Sequence, residues 1–263
     1  MAQIYRYREL AAALRQEIVS GQLTPGNRLP SELRLVEQFK VSRVTVREAT
    51  RLLVSEGLVE RVPGRKGGMV VRERATLIFR AGTVGQFAAP QSETALWRAD
   101  VLAQGLQPSQ RVECRMVELP DEVASRLGEP AGATAVLRRC VRLINDRPSS
   151  IHDSYYPRWL FEEVPELLSP SEIPGGADVL LAERGHVQVG YVDHNSARMP
   201  APDETDVLQI GPGTPVLVSV RAGATSARVV RVTVEVRVDS VAEYELGDVR
   251  GIPREARPHD QDR

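Results

Sequence analysis

Two helical patterns, each preceded by a serine and separated by two residues, constrain this chain more than any other feature. Ser31 can cap a short helix whose apolar residues end at Phe39. Ser42 can cap a second helix that runs to a stop at Gly57, and only residues 40 and 41 lie between the two. So tight a turn predicts a helix-turn-helix, in which the second helix enters the major groove of DNA with its N-terminal residues at the base edges.

The second helix of this pair has two chemically different faces. Its apolar residues recur at helical spacing on one face: Val46, Ala49 and Leu53. Arg43, Arg47 and Arg51 recur at i, i+4 and i+8 on another face. A row of arginines is also typical of a solvated helix face, so the flanking elements have to support a role in DNA binding.

A hairpin after these helices supplies that support. Residues 58–62 and 69–72 read as two strands, and the segment between them is rich in glycine and basic residues. Gly64, Arg65 and Lys66 at its tip suit a wing that approaches the phosphate backbone or the minor groove.

The charge distribution agrees with this interpretation. The formal net charge of the 263 residues is −1, which by itself would argue against nucleic acid. Residues 1–75, however, contain 14 Lys+Arg and 8 Asp+Glu and thus carry +6, whereas the remainder carries −7. Positive charge is concentrated where the helix-turn-helix lies, as binding to phosphates requires.

Motifs of other functional classes do not stand out. Neither a charged-then-apolar leader nor an apolar run of roughly 20 residues is present, so we expect a cytoplasmic protein without a membrane partner. Cys114 and Cys140 lack the spacing of a zinc or redox site, and we expect no cofactor or metal. An enzyme would need a catalytic set, for which the second half offers only scattered candidates: His152, Asp153, Asp193 and His194.

The second half of the chain contains a repeat. A short helix, a strand, a hairpin and a strand occur twice, at residues 120–127, 134–143 and 149–156, and again at 201–208, 215–222 and 228–239. The repeat predicts an antiparallel sheet with approximate two-fold symmetry and helices packed on one face. The chain as a whole is therefore predicted to be α+β, with a DNA-binding domain at 1–74, a linker at 75–94, a second domain at 95–249 and a disordered tail at 250–263.

Two segments of this second domain leave alternatives open. In residues 230–239 valines alternate with polar residues, so one face is core and the other faces either solvent or a pocket. A solvated face is the simpler interpretation for an antiparallel sheet. Residues 174–177 precede a predicted helix whose free amide groups could hold an anion, or they are simply a loop.

The first half resembles the winged helix-turn-helix of the GntR family of bacterial transcription regulators. The resemblance covers residues 4–72 and is carried by Gly21-Gln22-Leu23-Thr24-Pro25-Gly26, Leu29-Pro30-Ser31-Glu32, Ser42-Arg43-x-Thr45-Val46-Arg47 and Glu56-Gly57-Leu58-Val59. It implies that Ser42, Arg43, Thr45 and Arg47 touch the operator and that Gly64 lies near the minor groove.

The family pattern also marks one departure near the first cap. Members of the family often have a DNA-contacting arginine directly after the Pro-Ser-Glu sequence, where this chain has Leu33 and carries Arg34 one position later. One helical position turns a side chain by about 100 degrees, so the preferred half-site is expected to differ. We count Ser31 and Arg34 among the candidate DNA contacts.

The second half resembles the effector-sensing UTRA domain of the HutC-type branch of the same family, which has a chorismate-lyase-like fold. The resemblance spans roughly residues 96–246 and is carried by Leu137-Arg138-Arg139-Cys140-Val141-Arg142, Arg147-Pro148, Ser154-Tyr155-Tyr156-Pro157, Ala197-Arg198-Met199-Pro200 and Gly213-Thr214-Pro215-Val216-Leu217. It is looser than the N-terminal one, and its likeness to a lyase is one of fold and implies no catalytic residues.

The resemblance also implies an effector site. Positions that bind phosphorylated sugars in relatives fall on Cys140, Arg142, His152, Arg231 and Arg237. Of these, Arg142 alone keeps the residue type of the family. At His152, Arg231 and Arg237 this chain has hydrogen-bond donors where relatives have acceptors. The change favours an acidic effector of unknown identity, or else a pocket rebuilt around neighbouring carboxylates.

Together these features predict a DNA-binding transcription regulator, a repressor that binds a palindromic operator as a homodimer and responds to a metabolite. The alternative is a regulator that needs no ligand and whose second domain only dimerises.

Overall fold

The computed structural model describes residues 2–62, 68–72, 77–81 and 92–244 of the chain. Its first part consists of α1 (Ala2–Val19), α2 (Glu32–Phe39), α3 (Arg43–Ser55), β1 (Val59–Val62) and β2 (Gly68–Val71). The strands β1 and β2 pair antiparallel, which confirms the hairpin after the two helices. The hairpin tip at residues 63–67, and with it Gly64, Arg65 and Lys66, lies outside the described residues.

The two predicted serine caps form as hydrogen bonds. Ser31 Oγ accepts from the backbone N–H of Arg34 at 3.3 Å, and Ser42 Oγ accepts from that of Thr45 at 3.1 Å. Apolar side chains from all three helices, from β1 and from the segment before α2 pack into one core: Leu10, Ala11, Leu14, Leu29, Leu35, Val46, Ala49, Leu53 and Val59. The apolar stripe of α3 is thereby buried, and the opposite face of this helix is directed toward solvent.

The second part is built around a six-stranded antiparallel sheet. Its strands are β4 (Pro108–Glu118), β5 (Thr134–Ile144), β6 (Arg147–Pro157), β7 (Gly190–Arg198), β8 (Val216–Ala224) and β9 (Val229–Arg237), in the order β4-β5-β6-β9-β8-β7. The order is symmetric about the β6–β9 pair, as the predicted repeat requires. The short helix of each copy is also present, as α5 (Asp121–Leu127) and α8 (Pro202–Leu208), with α4 (Glu93–Ala103) ahead of both.

Helices cover both faces of the sheet, so the prediction of helices on one face is wrong. Val136 and Leu137 are neighbours in β5 and therefore point to opposite faces. Leu137 belongs to a cluster with α5, whereas Val136 packs with α6 (Arg158–Glu163), a 3-10 helix (Pro165–Leu168) and α7 (Ala177–Glu183). The repeat accounts for α5 and α8 only, and α6, the 3-10 helix and α7 lie in the connection between its two copies.

The predicted linker contains regular structure. β3 (Leu77–Ala81) pairs in parallel with β10 (Ser240–Tyr244), which follows the last strand of the sheet. Beyond it, α4 begins at Glu93, two residues before the predicted start of the second domain. The predicted tail at 250–263 lies outside the described residues.

The end of α3 touches the second domain at a turn made by residues 211–214. A Cβ atom on Gly213 would lie 2.2 Å from the Ser55 carbonyl oxygen, and one on Gly211 would lie 2.5 Å from that of Val54. Only glycine permits backbone to approach backbone this closely. The two glycines of the turn therefore allow direct contact between the two domains.

Gly57, at the end of α3, faces the same turn and provides a test of the contact. It has φ +67°, and a Cβ atom there would lie 2.1 Å from Thr214 Oγ1. Gly21 also has a positive φ, of +77°, but its Cβ position is open. We expect Gly21→Ala to cost about 1–2 kcal/mol for the left-handed backbone alone. Gly57→Ala should cost a further 1–3 kcal/mol, roughly, from crowding, as measured by urea unfolding. Equal losses in the two variants would show that the domains do not pack at Thr214.

Candidate DNA-binding surface and effector site

The start of α3 presents a polar, cationic surface. Ser42, Arg43 and Arg47 are exposed there, and so are Ser31 and Arg34 at the start of α2. Because the caps fix both helix starts and the apolar stripe of α3 is buried, these side chains lie on the outside of the helix-turn-helix. Two apolar side chains, Leu33 at 54% and Val44 at 57%, are exposed beside them.

Thr45 has a different position from the other candidate contacts. It is only 4% exposed, and its hydroxyl lies 2.9 Å from that of Ser42. The side chain is thus placed to orient the Ser42 hydroxyl, while Ser42 itself is open to a ligand. The predicted role of Thr45 at the operator would be exerted through Ser42.

Arg47 and Arg51 of α3 each form an ion pair with a carboxylate. Arg47 Nε donates to the two carboxylate oxygens of Glu32 at 3.3 Å, and Arg51 Nη1 donates to Glu48 at 2.5 Å. These pairs are exposed, and such pairs contribute about 0–1 kcal/mol. Arg47 can therefore exchange Glu32 for a base edge or a phosphate at little cost.

The strand register brings the predicted effector residues together on one face of the sheet. Cys140 lies opposite His152, and Arg142 and Arg237 each lie opposite Ser150. Alternation along β9 places Arg231 on the same face as Arg237. Arg231 is 4% exposed and Arg237 is 9% exposed. The buried arginines contradict the interpretation of this face as a solvated one.

Glu235 lies between two of the predicted residues. Arg237 Nη2 donates to Glu235 Oε2 at 2.6 Å, and His152 Nε2 lies 3.2 Å from Glu235 Oε1. Burial lowers the pKa of His152 well below its usual range, and the guanidinium group of Arg142 lowers it further. His152 is thus neutral at pH 7, and its Nε2 forms a hydrogen bond with Ser150 Oγ at 2.9 Å.

A second carboxylate comes from α4. Glu93 Oε1 accepts from Arg231 Nη2 at 2.9 Å and from Arg221 Nη1 at 3.2 Å. Burial by itself would raise the pKa of Glu93, but the Arg231 and Arg221 guanidinium groups lower it to about 2. Arg221 also binds Asp193 in a bidentate pair, at 2.8 and 2.7 Å. Arg231 and Arg237 of this face are thus each paired with a neighbouring carboxylate.

Trp97 lies one helical turn after Glu93 in α4 and packs against Arg142. The guanidinium carbon of Arg142 lies 4.6 Å from the centre of the Trp97 ring. Arg142 Nε, Arg231 Nε and Trp97 Nε1 are buried donors that have no hydrogen-bond partner among the described residues. These three donors remain available to a hydrogen-bond acceptor.

Several members of this site were not predicted. Glu235 and Arg221 lie on strands whose polar positions face the site, so the alternation along β8 and β9 could have identified them. Glu93 lies within the segment read as a linker, 138 residues from its partner Arg231. No local signal in the sequence connects two residues so far apart.

Other candidates lie elsewhere or form no site. Asp153 pairs with Arg139 at 2.6 Å on the opposite face of the sheet from His152. The start of α7 carries Asp178, whose Oδ2 accepts from the backbone N–H of Glu93 at 3.0 Å, which favours the loop interpretation of residues 174–177. Within the described ranges no His, Cys, Asp or Glu cluster could hold a metal ion, and no helix is long and apolar enough to cross a membrane.

Comparison with known proteins identifies both halves of the chain. Residues 6–71 match the family described as "Bacterial regulatory proteins, gntR family", and residues 103–237 match the UTRA domain. An HTH-type transcriptional regulator of Streptomyces coelicolor is 32% identical over 224 residues, 79% of each chain. The chain belongs to the GntR family. It is a DNA-binding transcription regulator with an effector-type second domain, and the members of this family are regulators, not enzymes.

Two further relatives of this GntR-family regulator agree in sequence and fold. The transcriptional repressor NagR of Bacillus subtilis is 32% identical over 169 residues, which cover 61% of either chain. The crystal structure of a GntR-family transcriptional regulator matches with a TM-score of 0.55 and 26% identity, over 92% of this chain and 98% of that one. The predicted fold class, a winged helix-turn-helix joined to an antiparallel effector domain, is confirmed.

The buried histidine should make stability depend on pH. An unfolded chain binds a proton at His152 below about pH 6.5, whereas the folded protein, with its lowered pKa, does not. The stabilisation is therefore complete above pH 6.5 and falls by about 1.4 kcal/mol per pH unit below it, until the folded pKa is reached. Urea unfolding at pH 7.5 and 5.5 should show this loss in wild type and a smaller one in His152→Gln. The exposed His194 supplies the control variant His194→Gln, and a loss in His152→Gln as large as in this control would contradict the assignment.

Proposed function

We propose that this GntR-family regulator is a cytoplasmic repressor that binds a palindromic operator as a homodimer and releases it when an anionic metabolite binds between α4 and the sheet. The carrying observation is that exposed Arg43 and Arg47 at the start of α3 share one chain with a face of buried arginines in the second domain. The NagR relative, named as a repressor, supports the sign of regulation.

Specificity at the operator would come mainly from α3. Arg43 and Arg47 are placed to donate to base edges, and a good bidentate arginine contact contributes about 1–3 kcal/mol of discrimination. Ser42 and the wing would hold the phosphate backbone. One module of this size buries only about 600–1,000 Å² on DNA, so useful specificity calls for two modules on half-sites about one helical turn apart.

The effector would be an anion because of the donors that line its site. Arg142 stacks on Trp97 and forms no ion pair with any described residue. It is also the one site residue that keeps its type from the family pattern. We therefore place the acidic group of the effector between Arg142 and Arg231, which both act on Glu93, and beside Cys140, whose thiol has a pKa raised by burial and is uncharged at pH 7.

Binding to DNA is tested with two arginines of the same helix. Wild type should bind DNA from the promoter beside its own gene tightly, with an affinity that falls steeply with salt. Arg47→Ala should lose roughly tenfold or more in affinity and most of its preference over scrambled DNA. Arg51→Ala, one turn further along α3, should weaken both DNAs alike. Fluorescence anisotropy measures all three proteins, and equal effects of the two substitutions would refute a base-reading role for Arg47.

Effector binding can be followed at Trp97, because the chain has only two tryptophans. In a Trp159→Phe background, an acidic metabolite bound at Arg142 should change the Trp97 emission, and Arg142→Ala should abolish the change. The same metabolite should release operator DNA. If no phosphorylated or carboxylic metabolite changes Trp97 while operator binding stays intact, the ligand-independent alternative is favoured.

A further inference from the structure

The Glu93 carboxylate lies where an acidic ligand would have to bind in order to reach Arg231. The Glu93 side chain is 35% exposed, whereas that of Arg231 is 5% exposed, so the carboxylate separates the buried guanidinium group from solvent. The contact is direct, with Arg231 Nη2 donating to Glu93 Oε1 at 2.9 Å. An anion that approaches Arg231 past the start of α4 meets this carboxylate first.

The two arginines that hold Glu93 depend on it to different degrees. Arg221 keeps a bidentate partner in Asp193 if Glu93 leaves. Arg231 has Glu93 as its ion-pair partner among the described residues, and a buried charge without a partner is strongly destabilising. Glu93 can therefore leave only in exchange for another anion.

Three buried donor groups of this face are unpaired while Glu93 is in place. Arg231 Nε, Arg142 Nε and Trp97 Nε1 are buried without a hydrogen-bond partner in the described part of the chain. A phosphate or a dicarboxylate presents several acceptor oxygens and forms charge-assisted hydrogen bonds with arginine. Exchange of Glu93 for such an anion would satisfy donors that Glu93 leaves unpaired.

We propose that Glu93 is an internal competitor of the effector, which occupies the anion-binding position at Arg231 until the acidic group of the effector replaces it. This inference rests on the proposed function, since it takes the second domain to bind an effector. The exchange removes the side-chain contact of the first turn of α4 with β9 and leaves the backbone contact of Glu93 with Asp178, and the Ser92 cap of this turn is joined to β3 through residues 82–91. Binding of the ligand at the sheet thereby changes the contacts of the helix that follows the linker to the DNA-binding domain.

The test uses inorganic phosphate as the probe, with chloride at matched ionic strength as reference. Glu93→Gln removes the competing charge and nearly preserves the shape of the side chain. An anion that binds only the folded state raises the unfolding temperature according to its affinity, so thermal unfolding over a phosphate series reports binding. We expect Glu93→Gln to bind phosphate at least tenfold more tightly than wild type.

Glu172→Gln is the matched control. Glu172 forms an exposed ion pair with Arg98 of α4, at 3.3 Å. Its substitution therefore removes one negative charge and one contact of α4 without opening the arginine site. Phosphate that binds the arginines of the DNA-binding domain affects all three proteins equally. The proposal is overturned if Glu93→Gln responds to phosphate no more strongly than Glu172→Gln.

Folding and DNA release are separated by two further measurements. If Glu93→Gln folds only in phosphate, the anion has replaced the carboxylate and the proposal holds. If it folds in neither buffer, Glu93→Asp decides, because its shorter carboxylate should bind Arg231 less well and raise phosphate affinity above that of Glu172→Gln. If Glu93→Asp shows no gain in phosphate affinity over Glu172→Gln, the proposal is overturned. Tight phosphate binding by Glu93→Gln without any change in operator affinity would support the exchange and contradict ligand-driven release.

Discussion

The ion pair between Glu93 and Arg231 is the interaction on which the second domain depends. Arg231 is buried in the middle of β9, where a guanidinium group without a partner would cost about 3–5 kcal/mol. Its partner comes from the first turn of α4, and that helix also places Trp97 over Arg142. The pair therefore fixes the helix that covers the effector site, and any ligand that uses Arg231 must change how α4 is held.

Serine caps and core packing hold the recognition helix of the DNA-binding domain in place. Caps at Ser31 and Ser42 fix the starts of α2 and α3, while the apolar stripe of α3 is buried in the three-helix core. The other end of α3 lies against the turn at residues 211–214, where two glycines allow backbone contact. The two domains thus touch at this turn, and the linker strand β3 pairs with β10 of the second domain. Allosteric coupling requires such a path and a difference in affinity between two states.

Local signals in the sequence predicted the elements but not all of their contacts. Caps, glycine stops and the doubled pattern of helix, strand, hairpin and strand determined the winged helix-turn-helix and the symmetric strand order, because each depends on residues close in the chain. The packing of α7 on the second face of the sheet and the linker strand β3 were not predicted, since the contacts that place them join residues far apart in the chain. Glu93 was missed for the same reason. The polar face of β9 was read as solvated because alternation cannot tell which polar face another helix covers.

Hydrogen exchange at the backbone amides of α4 tests the central claim most directly. If Glu93 holds α4 on the sheet, the amides in the first turns of α4 should exchange more slowly in wild type than in Glu93→Gln. Addition of phosphate to Glu93→Gln should alter exchange there and at β3, while the amides of α5, on the opposite face, stay unchanged. Equal exchange along α4 in wild type and Glu93→Gln, with and without phosphate, would contradict the claim that this carboxylate controls the helix.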